Sequence, residues 1–490
     1  MAINSLEFFA FFSCVASVYF GLFRKSARFQ NLWLLLASYT YYSLADLNLV
    51  PFLAGVTLVF YILGRLLPNA KSNRQSLFIL LVGVVVGLGT LIYFKYLNFI
   101  VMTTANLFHL GGENGEPGGL GILVPLGVSF FTFRLISYVL DVYREKIEPT
   151  RDFVAFANYI AFFPCLLAGP IDRPSGFLQQ IQRPRKLRFD SVANGTRQVL
   201  WGMLKKVVIA DNLAAFVDGI WRNKLDYPSV VLFLCAGLYA FQMYTDFSGY
   251  SDMAIGVSKI LGIQVSPNFR YPFFALNISD YWRRWHISLT SWLTDYVFLP
   301  LNVQFRNWGK VGLSIAIVLD LVLVGTWHGA NWTYVLFGLY HGLLFLPLIV
   351  SGAFFKKTSL ETGFWGLPKF KSAIRMLITF SLVSIGLILF RAPNIELAGK
   401  YLVGLASLRS TFSEGLDKWN VLTKVELRIG LLFVILLTII EWYQRDREYG
   451  LDLDTTKIPV VWRWGIYYLA VIVLVLFGSS GKSGFIYAQF

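Results

Sequence analysis

Charge and thiol are what this sequence of 490 residues has least of. Only 14% of its residues are Asp, Glu, Lys or Arg, against about 25% in an ordinary soluble domain. That is too little polar surface to solvate a chain that is 56% hydrophobic and 17% aromatic. With a mean hydropathy of +0.59, the apolar excess has to face lipid. The three cysteines, Cys14, Cys165 and Cys235, lie in apolar runs with no paired spacing, so neither a disulfide framework nor a thiolate metal cluster is expected. Several catalytic signatures are also missing. Gly249-Tyr-Ser251-Asp stops short of a nucleophile elbow, Gly481-Lys-Ser lacks the earlier glycine and the strand-loop-helix setting of a phosphate loop, and no H-E-x-x-H occurs. Serine-hydrolase, nucleotide-hydrolase and zinc chemistries lose weight accordingly, and no metal site is expected.

Absent too are repeats, low-complexity tracts and any polar linker long enough to separate soluble domains, so residues 1–490 read as a single membrane domain. The net charge is +15, yet the basic residues cluster in short segments between apolar runs instead of interleaving with aromatics on a polar face. Nucleic acid is therefore excluded as a partner, and membrane lipid or an anionic donor at the inner leaflet is favoured.

A bilayer-spanning helix needs about 20 mostly apolar residues. Candidate runs are Leu6 to Phe23, Gln30 to Ala45, Phe52 to Leu67, Ser76 to Asn98, Leu120 to Tyr143 and Leu232 to Phe247, then Val311 to Trp327, Trp332 to Val350, Ile374 to Phe390, Leu427 to Trp442 and Trp462 to Phe477. These predict an all-α polytopic protein with about eleven strong runs, in which residues 120–350 form a core and 374–490 supply C-terminal helices. The first run lacks a basic leader and a clear cleavage site, so it reads as a retained span. Between Phe153 and Ile220 the apolar runs are short and broken by Pro164, Gly169, Pro170 and Pro174. Helices that enter partway and turn back are predicted there, which is tolerable only where protein or water covers the freed backbone groups.

Loop charge supplies an orientation, because Lys and Arg stay cytoplasmic. Arg24, Lys25 and Arg28, then Lys71 and Arg74, then Arg144, Lys146 and Arg151 mark alternate connections, whereas Gly111 to Gly119 holds Glu113 and Glu116 and no basic residue. The alternation places the N-terminus outside the cytoplasm, and the basic stretch Arg173 to Arg188 inside.

Only four histidines are present. His109 lies beside a glycine-rich loop and reads as solvated. His286 falls in Asp280-Tyr-Trp-Arg-Arg-Trp-His-Ile-Ser-Leu-Thr-Ser-Trp-Leu-Thr-Asp-Tyr296, where Trp282, Trp285, Leu289, Trp292 and Tyr296 recur at helical spacing. Its charges suit an interfacial helix better than a spanning one. His328 closes an apolar run in Gly325-Thr-Trp-His-Gly-Ala-Asn-Trp332, where glycines permit close backbone approach. Ionisable groups inside a membrane are costly and mark functional sites by default, so His328 is the leading catalytic candidate. His341 reads as a packing residue. Asp246, Asp252 and Asp320, with Arg134 and Asp141, also sit in apolar surroundings, and the carboxylates are expected to brace broken helices by pairing with arginines such as Arg283 and Arg284. A near-neutral histidine in a water-poor cavity suits acyl transfer, since it can take the proton of a hydroxyl that attacks a thioester.

Several motifs occur together in one order: Tyr93-Phe-Lys-Tyr96, Pro125-Leu-Gly-Val-Ser-Phe-Phe131, Phe163-Pro-Cys-Leu-Leu-Ala-Gly-Pro170, Asp246-Phe-Ser-Gly-Tyr-Ser-Asp-Met-Ala-Ile-Gly256, Phe269-Arg-Tyr-Pro272, Tyr281-Trp-Arg-Arg-Trp-His-Ile-Ser-Leu289, Trp327-His-Gly-Ala-Asn331 and Phe390-Arg-Ala392. Through them the chain resembles the membrane-bound O-acyltransferase family, in particular its branch that acetylates bacterial polysaccharides and peptidoglycan. The resemblance implies a bundle of spanning, re-entrant and interfacial helices around a central channel, in a bacterial inner membrane. It implies His328 as the catalytic histidine and His286 as its second polar partner, with Asn331, Trp327, Asp246, Tyr250, Arg283 and Arg284 as supporting or substrate-binding candidates. The implied donor is acetyl-CoA or another acyl thioester arriving from the cytoplasm, with no permanently bound cofactor. The implied acceptor is an extracytoplasmic polysaccharide, reached through a separate extracytoplasmic acetyltransferase.

After Pro300 the chain reads Leu-Asn-Val-Gln-Phe-Arg-Asn-Trp-Gly309, where alginate-acetylating members carry a glycine- and arginine-rich loop, and this leaves the acceptor open. The tail beyond about Ile374 resembles the polysaccharide-acetylating branch more than the shorter proteins that pass D-alanine to teichoic acid, and that resemblance implies acetyl as the transferred group. A transporter or permease would also carry broken helices and intramembrane carboxylates, but no repeated half-structure accompanies them. A scaffold for extracytoplasmic partners is the remaining alternative.

Overall fold

The computed structural model describes residues 1–108, 121–222, 227–356, 358–407, 425–454 and 456–479. His109, Glu113, Glu116 and the tail after Ser479 lie outside the described residues. Among these residues the chain is helical and contains no strand, only an isolated bridge between Thr362 and Pro368. Seven helical stretches among the described residues are long and apolar enough to cross a bilayer: Leu47–Asn69, Asn73–Ala105, Ser229–Ile260, Arg306–His328, Trp332–Val350, Phe370–Arg391 and Val460–Phe477, with Leu6–Gly21 a shorter apolar helix. The chain packs as two compact units, Met1–Val199 with Met253–Ser266, and Leu200–Asp252 with Pro267–Phe490.

The first unit holds α1 (Leu6–Gly21), α2 (Ala27–Ser43), α3 (Val50–Leu66), α4 (Asn73–Leu91), α5 (Leu97–Leu107), α6 (Val128–Tyr143), α7 (Phe153–Ala161), α8 (Phe163–Leu166), α9 (Pro174–Gln180) and most of α10 (Phe189–Met203). The predicted run from Leu120 becomes helical only at Val128. Gly127 turns the chain left-handed at φ 74° and leaves no room for a Cβ beside the Leu166 carbonyl. Helix α6 is buried almost throughout and packs against α3 and α4, whose Gly64 and Gly87 admit Tyr138 and Ile136. Small residues drive such close approach where lipid offers no hydrophobic incentive. Helix α2 is less apolar than a spanning run because it buries Gln30, Asn31 and Ser38 for use as hydrogen-bond partners.

Those partners, with Arg134, explain the broken region. The Arg134 guanidinium donates to the carbonyls of Tyr159 (3.3 Å), Ile160 (3.4 Å), Cys165 (3.2 Å) and Pro170 (2.7 Å). The Phe163 amide donates to the Ser38 hydroxyl, and Asn31 Nδ2 donates to the Ile181 carbonyl. The backbone groups freed by Pro164, Gly169 and Pro170 are thus satisfied inside protein, as a re-entrant segment requires.

The second unit holds α11 (Asp211–Arg222), the greater part of α12 (Ser229–Ile260), α13 (Ile278–Trp282), α14 (Ile287–Leu293), α15 (Leu299–Gln304), α16 (Gly309–His328), α17 (Trp332–Leu343), α18 (Leu346–Val350), α19 (Phe370–Arg391), α20 (Ile395–Ala406), α21 (Val425–Tyr443) and α22 (Val460–Phe477). Helices α16 and α17 form a tight hairpin. A Cβ on Gly325 would overlap the Tyr334 carbonyl, and one on Gly338 would overlap that of Leu321. The most apolar window of α12 is 72% buried by protein, whereas that of α22 is 6% buried.

Asp246 and Asp252 on α12 are braced from the π-helical segment Leu204–Ala210. Lys206 pairs with Asp246 and with Asp211 (2.9 Å), and Lys205 pairs with Asp252. Arg283 and Arg284, the partners expected from the sequence, bond elsewhere. Arg284 bonds Asp280 one turn earlier (2.9 Å), and Arg283 donates to the Ser279 hydroxyl (3.2 Å).

Candidate active site

The predicted continuous helix from Asp280 to Tyr296 is interrupted between Trp282 and Ile287. His286 sits in the break as the N-cap of α14, with φ 45° and ψ 52°. Long-range backbone bonds hold it in this left-handed conformation: the Ile287 amide donates to the Asn268 carbonyl (2.8 Å) and the Arg270 amide to that of Arg284 (2.9 Å). Asn268 is itself tied to Ser251 and Ser288. A non-glycine residue in this region costs on the order of 1–3 kcal/mol and persists where its surroundings over-determine it, often at functional sites.

His328 is the last residue of α16. The chain leaves through extended Gly329, where a Cβ would strike the Tyr334 ring, and re-enters helix at Trp332 under the Asn331 N-cap. Asn331 Oδ1 accepts from the Thr333 amide (3.1 Å), and its Nδ2 donates to the Pro393 carbonyl (2.8 Å). Its amide therefore shapes the turn that presents His328.

The two histidine rings face each other across 6.3 Å between centroids, and both side chains are buried. Phe247 meets His286 edge-on at 4.7 Å, Trp327 lies 5.7 Å from His286, and Phe390 packs edge-on against His328 at 5.0 Å. Burial holds the His286 imidazole down at about 3, so it stays neutral at physiological pH. A ring nitrogen of either histidine can take or give the proton of a reactant that reaches it. Among the described residues no cluster of three or more His, Cys, Asp or Glu could hold a metal ion.

Of the other nominated residues, Trp327 packs against both histidines. Trp327 precedes His328, Asp246 is in the Lys206 ion pair, and Tyr250 is buried on α12 one helical turn after it. Arg283 lines a cavity of about 450 Å³ together with Trp282, Ile287, Asp320, Val324 and Phe345. The buried Trp282 indole N–H and Asp320 Oδ1 have no hydrogen-bond partner among the described residues. The cavity begins one residue from His286 and one helical turn from His328. His341 is fully buried among Phe337 (4.6 Å), Trp282 (5.3 Å) and Tyr340 (5.5 Å), and it belongs to the packing around the site. Sequence reasoning did not find Asn268 as the tether of His286. Nor did it assign Phe247 and Phe390 as packing partners of the histidines, although both stand in the motifs quoted above.

The pattern of the membrane-bound O-acyltransferase family matches residues 34–387, and the chain belongs to that family. It is therefore an acyltransferase embedded in a membrane. It is 36% identical over 447 residues to the probable alginate O-acetylase AlgI of Pseudomonas aeruginosa, covering 90% of this chain and 81% of that one. It is 33% identical over 438 residues to the peptidoglycan O-acetyltransferase of Helicobacter pylori, covering 82% and 79%. Similarity to the teichoic acid D-alanyltransferase of Bacillus subtilis is 29% over 278 residues, covering 54% and 68%.

Proposed function

We propose that this protein moves an acetyl group from a cytoplasmic thioester, such as acetyl-CoA, toward a hydroxyl of an extracytoplasmic polysaccharide in the bacterial cell envelope. His328 takes the proton of an accepting hydroxyl as that oxygen attacks the thioester carbonyl and passes it to the departing thiolate, and the acetyl ester so formed is handed on to the extracytoplasmic partner. Neutral His286 holds the reactant from the opposite side. The observation that carries this reading is the buried His286–His328 pair. Relatives named for acetylating alginate and peptidoglycan support it. The longer coverage of those relatives favours acetyl over D-alanyl as the transferred group.

The cavity beside Ile287 and Val324 is the space for the substrate portion next to the reacting carbonyl. Exclusion of water there favours transfer over hydrolysis. Loop charge supports an inner-membrane orientation with the N-terminus outside, and a separate extracytoplasmic acetyltransferase is the partner that completes transfer.

The test is mass spectrometry of envelope glycans from cells carrying wild-type protein or His328→Ala. O-acetyl esters should vanish while the variant accumulates normally in the membrane. Unchanged esters would overturn the reading, and a D-alanyl ester lost in their place would redirect it. A permease would instead give solute flux in reconstituted vesicles that survives loss of His328.

A further inference from the structure

Between α18 and α19 the chain forms a short clamped loop. The Gly363 amide donates to the Leu367 carbonyl (2.8 Å) and the Lys369 amide to the Glu361 carbonyl (2.9 Å), closing the bridge between Thr362 and Pro368. The Trp442 indole donates to the Gly366 carbonyl (3.1 Å), and Leu360 packs with Leu276, Met376 and Trp442 at the base. A loop so fixed would be expected to tuck its aromatic residues inward. It does the opposite: Phe364 is 81% and Trp365 77% exposed, and Trp365 is held left-handed at φ 57°, a conformation disfavoured for a bulky side chain. Phe355 and Phe370 are exposed on either side.

Two further observations say what covers these rings. The loop directly joins the ends of two spanning stretches, Trp332–Val350 and Phe370–Arg391, so it lies at the level of the bilayer surface. Lys356, Lys369 and Lys371 are exposed around it, and Lys369 contacts the Glu361 carboxylate at 3.3 Å. Arg445 is held over Trp442, 4.8 Å from the ring centroid. Aromatic rings amid cations suit the boundary between headgroups and acyl chains of an anionic leaflet.

We propose that the loop Glu361–Lys369 is a lipid-inserted anchor, with Phe364 and Trp365 seated below the phosphates and Lys369 and Lys371 contacting anionic headgroups. It fixes the depth of α19, whose far end carries Phe390 against His328.

The test uses the full chain in nanodiscs of phosphatidylcholine with about a third phosphatidylglycerol. The fluorescence of Trp365 is obtained as wild type minus Trp365→Phe. Lipid brominated near the headgroup end of the chain should quench that component by more than about half, while aqueous iodide should hardly affect it, as interfacial insertion requires. The reverse result would overturn the proposal and mark the tip as a docking point for a soluble protein. A Phe370→Trp probe in the Trp365→Phe background should behave as Trp365 does. Lys369→Gln with Lys371→Gln should at least halve the phosphatidylglycerol retained after detergent extraction. Unchanged retention would overturn the anionic-lipid part.

Discussion

Phe390, at the end of α19, places its ring edge-on against His328 with 5.0 Å between centroids, and Phe337 and Tyr334 close the same aromatic group at 5.3 and 5.0 Å. The imidazole is thereby confined by aromatic rings. Phe390→Leu should keep the protein folded, with a stability loss within about 1.5 kcal/mol for an apolar exchange. It should lower the rate of acyl transfer by about tenfold or more through misplacement of the base. Thermal melts of the purified protein and an acetyl-transfer assay separate the two effects.

The α16–α17 hairpin should tolerate almost nothing at Gly338, where a Cβ would run into the Leu321 carbonyl. Gly338→Ala should lower stability by about 1–3 kcal/mol, the usual range for overpacking. It should also reduce activity, because the same hairpin presents His328. A melting temperature equal to wild type would show that the helices separate without cost.

Arg134 bonds four backbone carbonyls of the proline-broken segment at once. Lysine keeps the charge but lacks the planar fork. Arg134→Lys should therefore leave buried carbonyls unsatisfied, each at roughly 1–3 kcal/mol. Faster proteolysis between Phe153 and Pro174 in detergent is the expected sign, and rates matching wild type would argue against the clamp.

His286 predicts an acid limit to stability. Its folded pKa of about 3 lies below the unfolded value of about 6.5. The unfolded chain therefore binds the proton first. The contribution is complete above about pH 6.5 and shrinks as pH falls toward the folded value, by about 2 kcal/mol between pH 7 and 5. Melting temperatures across that range should fall more steeply for wild type than for His286→Gln. Equal slopes would mean that the buried imidazole is not the titrating group.

The hairpin and the helix of Asp246 and Asp252 were legible because apolar runs of spanning length survive any tertiary context. The partnership of His286 and His328 was not contained in periodicity or spacing; it came with the order of motifs. Periodicity misled at Trp282 to Leu289, where tryptophans at helical spacing concealed a break imposed by backbone bonds with Asn268 and Arg270, well before it in the chain. It was equally silent on Lys205 and Lys206, because which cation meets Asp246 depends on a π-helical segment that no pattern of apolar residues announces.

The ion pairs of α12 also bear on how the protein is made. With a hydropathy of 1.4 in its best window, against 2.0 for α22, and two carboxylates on board, α12 is a poor candidate to partition into lipid alone. Lys205 and Lys206 leave the ribosome before Asp246 and Asp252 do. The counter-ions are thus already waiting when the acidic helix emerges, and its charges can be neutralised during insertion, while α22 needs no companion.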